Sequence, residues 1–223
     1  MTIKKENGMN KFFRGVYLWM FAGLLLSGVM AYLTATNPTM TNFVYNNLTL
    51  VIILELVVAI AFIFLRRKVS ANTAKILFII YSLTSGLTMS SIFLVYKLDS
   101  IIMVFFSAAL LFGLLAAYGY YTNNDLTSFG RLLTFGLIAV LIMSVINLFI
   151  FNSTFGVVIS VISVVVFLGL TAWDMQNLKR IYEYYSNDEE ELNKCTIYGA
   201  LDLYLDFINI FLHLLELFGN DKD

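Results

Sequence analysis

Long apolar runs divided by short polar segments make up almost the whole chain. A helix needs about 20 apolar residues to cross the hydrocarbon core of a bilayer. Seven stretches meet that length, at roughly 13–33, 48–65, 76–95, 101–121, 132–151, 155–175 and 198–219. The second is the shortest and contains Glu55. The fifth and sixth are parted only by Asn152, Ser153 and Thr154, which predicts a tight antiparallel hairpin. Runs such as Val157–Leu170 lack the apolar–polar alternation of a barrel strand. Backbone groups in lipid must then be satisfied within each segment, as only a helix allows. The expected fold is an all-α integral membrane protein, a single domain of seven transmembrane helices over residues 1–223.

Composition supports that reading. Hydrophobic residues make up 60% of the 223 and charged residues 13%, against about 25% charged in a soluble domain. One proline and 13 glycines argue against long linkers, and the only sizeable loop is expected at about 179–197, with Asp188, Glu189, Glu190 and Glu191 forming a solvated acidic face. The single Cys195 excludes an internal disulfide framework, and the lone His213 excludes a multi-histidine metal centre in one chain. No resident cofactor and no nucleic-acid partner are expected.

Placement of charge gives an orientation. Lys4, Lys5, Lys11 and Arg14 precede the first run, which is too long for a signal h-region and lacks a clear small-residue cleavage site, so it reads as a retained span. Arg66, Arg67, Lys68 and Lys75 lie between spans two and three, Arg131 between four and five, and Lys179, Arg180 and Lys194 between six and seven. Only Lys97 and Lys222 fall on the other side, so twelve of the 14 basic residues share one face. The positive-inside rule makes that face cytoplasmic, with the N-terminus inside and the C-terminus outside. Short tails and a Lys/Asn/Ile/Phe-rich composition point to a bacterial plasma membrane.

Ionisable groups within a bilayer cost about 2.5–3.5 kcal/mol each at mid-span on insertion scales, which makes them candidates for function. Glu55 stands in span two and Asp174 near the cytoplasmic end of span six. Span seven carries Asp202, Asp206, Asn209, His213 and Glu216 at i, i+4, i+7, i+11 and i+14. That spacing makes one stripe about 21 Å long. Such a stripe must face the protein interior or a water-filled cavity. A plainer reading puts Asp202 at the interface, lets Glu216 snorkel outward and leaves only Asp206 and His213 inside. Glu55 and Arg66 are eleven residues apart, on nearly one helix face, although Arg66 also serves as a positive-inside anchor. Span three holds Ser82, Thr84, Ser85, Gly86, Thr88, Ser90 and Ser91, small residues suited to close helix packing.

These residues carry a family resemblance. Ala200-Leu201-Asp202-Leu203-Tyr204-Leu205-Asp206-Phe207-Ile208-Asn209-Ile210-Phe211-Leu212 resembles the Leu-Tyr-Leu-Asp-Phe-Ile-Asn-Leu-Phe signature of the transmembrane Bax-inhibitor-motif family. Thr171-Ala172-Trp173-Asp174-Met175-Gln176 resembles its Tyr-Asp-Thr-Gln element, with Trp173 for the usual tyrosine and Met175 for the usual threonine. Leu83–Ile92 is similar to its Thr/Gly/Ser-rich helix. The resemblance implies spans one to six around a central span seven, and a pH-sensitive calcium leak in which Asp174 and Asp206 form the proton- and calcium-binding pair. It further implies that Glu55 and Arg66 are the family's buried acid and arginine of span two.

Two carboxylates in a low-dielectric site cannot both ionise easily, so such a pair holds a proton that it can exchange for a cation. Oxygen ligands are also what Ca²⁺ requires. The Asp174–Asp206 pair that the resemblance implies fits this chemistry, with Arg66 expected to latch Asp174 in a closed state and Glu55, Asp202, Asn209 and His213 in support. Calcium and protons would be the transported species, and no enzymatic activity is expected. An intramembrane aspartyl protease would need Gly-x-Gly-Asp where Leu203-Tyr204-Leu205-Asp206 stands. A non-conducting regulator of other membrane proteins, such as a membrane protease, is the remaining alternative.

Overall fold

A computed structural model describes residues 2–65, 68–150 and 152–222. All regular elements among them are helices: α1 (Thr2–Thr36), α2 (Pro38–Asn46), α3 (Leu48–Leu65), α4 (Ala71–Met89), α5 (Ile92–Val95), α6 (Leu98–Tyr121), α7 (Thr127–Ile150), α8 (Ser153–Tyr185) and α9 (Glu189–Phe218). Among the described residues five stretches are long and apolar enough to cross a membrane: Asn7–Thr36, Ala71–Val95, Leu98–Tyr121, Thr127–Asn147 and Ser153–Tyr185. A sixth candidate joins α2 to α3 across a bend of 79°. The seventh stretch expected from the sequence is α9, where Asp202, Asp206 and Glu216 interrupt the apolar run.

Large apolar side chains lie bare on the outer faces of these helices. On α6, Phe106, Leu110 and Leu114 recur every four residues and are 58–67% exposed. Such stripes would be untenable in water and are ordinary against lipid tails.

Two boundaries differ from the sequence expectation. The segment before span two contains a helix of its own, α2, because Pro38 occupies its first turn and the Asn37 side chain accepts from the Thr39 and Met40 amides at 3.0 and 3.2 Å. The loop expected at 179–197 shrinks to residues 186–188, since α8 runs to Tyr185 and α9 begins at Glu189. The acidic run is the reason. The Asp188 carboxylate accepts from the Glu191 amide at 3.0 Å and caps α9, while Glu189, Glu190 and Glu191 fill its first turn, where negative charge meets the positive end of the helix dipole. These acids are also not merely solvated. Glu190 accepts from the Ala71 amide at the start of α4 at 3.0 Å, and Glu191 pairs with Lys194, which is 8% exposed.

The chain forms two compact units. In the first (Met1–Tyr96, Ile181–Tyr204 and Lys222–Asp223), α1 and α3 pack on α4. A methyl group on Gly86 would lie 2.7 Å from the Ser27 carbonyl oxygen, so α4 and α1 touch backbone to backbone there. The hydroxyls of Ser82 and Thr84 bond back to their own helix, at 2.9 Å to the Phe78 carbonyl and 2.9 Å to that of Tyr81. These two hydroxyls are thus satisfied within their own helix, which leaves its surface free for close packing.

In the second unit (Lys97–Arg180 and Leu205–Asp221), a methyl on Gly119 would collide with the Ala172 carbonyl, which brings α6 against α8. Phe105 and Phe112 of α6 meet Phe207 edge to face, with ring centroids 5.2 and 5.7 Å away. A Gly119→Val substitution should therefore cost about 1–3 kcal/mol or more through overpacking. Gly113, also on α6, has open space around it, so Gly113→Ala should be neutral or stabilising by about 0.5–1 kcal/mol. Thermal unfolding of the two variants in detergent, side by side, checks both.

Candidate functional site

Helix α9 has no exposed residue between Lys194 and Leu215: Ala200, Leu203, Tyr204 and Ile210 are 0% exposed and Leu215 is 1%. A helix that lay against lipid would bare its apolar residues, as α6 does. Over that stretch the apolar residues are covered, and Asp202, Asp206, Asn209 and His213 are buried or half-buried with them, while Glu216 lies exposed beyond it.

In the first unit, Tyr204 puts its hydroxyl 2.6 Å from Ser27 Oγ. That oxygen in turn lies 2.8 Å from the Ser82 carbonyl and 2.9 Å from that of Gly23. The Tyr204 ring meets Phe78 and Tyr81 edge to face at 5.9 and 6.0 Å. Tyr81 hydrogen-bonds Glu55, whose Oε2 also lies 2.7 Å from the Thr88 hydroxyl. Glu55 is thus half-buried among hydroxyls rather than left bare to lipid. Asp202, on the same stretch of α9, is half-buried. Arg66 lies outside the described residues, and with it the expected Glu55–Arg66 face and the latch on Asp174.

In the second unit, Asp206 is 4% exposed and Asp174, on α8, is half-buried. Asn209 donates from Nδ2 to the Leu205 carbonyl at 2.8 Å. His213 and Glu216 converge on α8: Ser160 Oγ is 3.0 Å from His213 Nδ1 and 2.5 Å from Glu216 Oε2, with the two α9 groups 3.7 Å apart. Glu216 is therefore tied to a neighbouring helix by a hydroxyl, although it remains exposed enough to reach water. No group of three or more His, Cys, Asp or Glu side chains converges as a metal site among the described residues.

A further polar group follows the Asp174 motif along α8. Gln176 accepts from the Leu126 amide at 2.9 Å and donates to the Asn124 carbonyl at 2.7 Å, gripping the turn between α6 and α7 from both sides. Arg180 pairs with Asp125 at 2.5 Å and also reaches Thr127 and, at 2.8 Å, Gln176. Lys179 donates to the Tyr120 carbonyl at 2.8 Å. Gln176, Lys179 and Arg180 stand at i, i+3 and i+4, a spacing visible in the sequence that charge counting alone reads as topology. Tyr81, Tyr204 and Ser27 carried no such signal, because an aromatic or a serine in an apolar helix looks like packing.

The chain is a helical integral membrane protein in which a helix bearing a row of polar and acidic groups is buried among more apolar ones. Its sequence matches, over residues 9–223, the family described as "Inhibitor of apoptosis-promoting Bax1". It is similar to Inner membrane protein YbhL of Escherichia coli K12, 39% identical over 99% of this chain and 96% of that protein. A protein of Borreliella burgdorferi is 38% identical over 96% of this chain and 94% of its own length, and one of Rickettsia prowazekii is 36% identical over 98% and 93%. The chain belongs to the Bax-inhibitor family.

Asp125 offers a test of the α6–α7 turn. Hydrogen bonds from the Thr127 hydroxyl and amide, then from Arg180, hold its carboxyl well below the usual carboxylate range. A depressed folded pKa contributes stability above the unfolded value of about 3.9, and that contribution is lost as pH falls through the folded pKa. Stability should therefore decline as the pH is lowered below about 4. The decline should be shallower in Asp125→Asn, as read by thermal unfolding in detergent between pH 7 and pH 3.

Proposed function

We propose that the protein is a pH-sensitive calcium leak pathway of the bacterial plasma membrane, with α9 as a central seventh span. The observation that carries this reading is Asp206, 4% exposed in a helix too charged to face lipid. A buried intramembrane acid is expensive to maintain unless it serves a pathway or a switch. The name of the E. coli relative, an inner membrane protein, supports the location. Twelve basic residues on one side support a cytoplasmic N-terminus and, with seven spans, an outside C-terminus.

The register of α8 against α9 supports pairing of the two aspartates. Ser160 stands opposite His213 and Glu216. Asp174 lies about 21 Å further along α8 and Asp206 about 10.5 Å back along α9, an axial offset of about 10 Å. Side chains tilt toward their own helix N-terminus. In two antiparallel helices that tilt carries the Asp174 and Asp206 carboxylates toward one another, which shortens the offset by a few ångströms. A further closing of the two helices would let the pair share a proton or hold a calcium ion between their oxygens. At neutral pH the ionised pair attracts the cation and an arginine; Arg66 is the proposed latch. Protonation at mildly acidic pH weakens the latch and favours opening.

Glu55, Asp202, Asn209 and His213 serve this pathway in support: Glu55 through its Tyr81 and Thr88 hydrogen bonds, His213 through Ser160. Calcium flux into proteoliposomes, measured across pH 6–8, tests the reading. Asp206→Asn should remove the pH dependence. Unchanged flux and pH profile in that variant would sink the proposal. Absence of flux from well-folded wild-type protein would favour the non-conducting regulator instead.

A further inference from the structure

A cavity of about 540 Å³ opens in the first unit where the α8–α9 turn meets the early part of α1 and the start of α4. Its wall is mixed in character. Lys11 of α1 and Lys75 of α4 present ammonium groups, and Asn187 and Asn193 add amides. Phe12 and Trp19 of α1 supply aromatic surface, Trp19 lying about 12 Å further along the helix than Lys11. The cavity therefore joins cationic and hydrogen-bonding groups to aromatic surface that extends along α1 into its apolar stretch.

Neither lysine is neutralised within the cavity by an equal number of acids. Among the described lining residues Glu189 is the one carboxylate, against two ammonium groups. The hydrogen bond that Lys75 donates, to Asn72 at 3.4 Å, goes to a neutral acceptor. Trp19 falls inside the apolar stretch of α1 that is long enough to cross a membrane, whereas Lys11 stands close to its start. A ligand filling this space needs a negative head at the level of the membrane surface and an apolar body below it. Basic pockets between helices at the cytoplasmic surface suit the phosphate of an anionic lipid. A calcium ion would meet two like charges here, and a free soluble anion would leave the aromatic wall unused.

We propose that this cavity binds the phosphate headgroup of an anionic phospholipid, with Lys11 and Lys75 on the phosphate and Phe12 and Trp19 along the upper acyl chain. Its assignment to the cytoplasmic leaflet rests on the orientation proposed above, but lipid retention is read without flux, so either can fail alone.

Native mass spectrometry of the full chain in detergent, titrated with phosphatidylglycerol, phosphatidylcholine or inorganic phosphate, tests the site. Phosphatidylglycerol should be retained in preference to phosphatidylcholine. Retention should fall at least about tenfold in the Lys11→Gln/Lys75→Gln double variant. Lys11→Gln alone should give a partial loss, which keeps the test decisive if the double variant folds poorly. Lys68→Gln, on a lysine outside the cavity lining, should leave retention unchanged and so exclude a diffuse charge effect. Equal retention of the two lipids, retention insensitive to Lys11 and Lys75, or binding of inorganic phosphate in place of the lipid would each overturn the proposal.

Discussion

In hydrocarbon, a polar group that finds no partner inside the protein finds none at all, and that constraint organises this chain. It dictates helices, because a helix satisfies its own backbone. It also sorts the helices among themselves. α6 and α7 have polar residues few enough to stand against lipid on one face, and their large apolar side chains are accordingly bare. α9 carries Asp202, Asp206, Asn209, His213 and Glu216 and is covered instead.

Covering a helix on most sides requires neighbours that come close without bringing bulk. The small residues do this at particular contacts: Gly86 at the Ser27 backbone in one unit, Gly119 at the Ala172 backbone in the other. With little hydrophobic force between helices in lipid, such close approach and the hydrogen bonds beside it hold the bundle. The hydroxyl groups then serve twice. Ser27 bridges Tyr204 to two backbone carbonyls, and Ser160 bridges His213 and Glu216 to α8, so polar side chains on α9 are met by hydroxyls from other helices. Hydroxyls suit this task because they both donate and accept and can follow a neighbour whose protonation changes.

The ends of the helices follow a different rule, since water is present there and charge can be left in the open. The acidic run 188–191 opens α9 and bonds the start of α4, while Gln176 and Arg180 hold the α6–α7 turn. Most of these contacts join elements far apart in the chain, and those of Asp188, Glu190 and Arg180 are charge-assisted. They tie elements that hydropathy treats as separate, and they make the connections much tighter than a composition-based reading of loops implies.

Helical class, most of the apolar stretches and membership of the Bax-inhibitor family were all legible in the residues. Each depends on local periodicity or on a motif contiguous in the chain, such as Leu203-Tyr204-Leu205-Asp206. The polar stripe of α9 was likewise legible, since a helix fixes which residues share a face. The partners of that stripe were not. That Tyr204 meets Ser27, that Tyr81 and Thr88 surround Glu55 and that Ser160 bridges His213 and Glu216 depend on which helices adjoin and at what register. The acidic run read as an open loop for a related reason: its capping role exists only once Asp188 meets the Glu191 amide and Glu190 meets Ala71. Sequence determines what each helix must hide, and tertiary packing decides which neighbour hides it, because hydrogen bonds between helices require a geometry that no single helix contains.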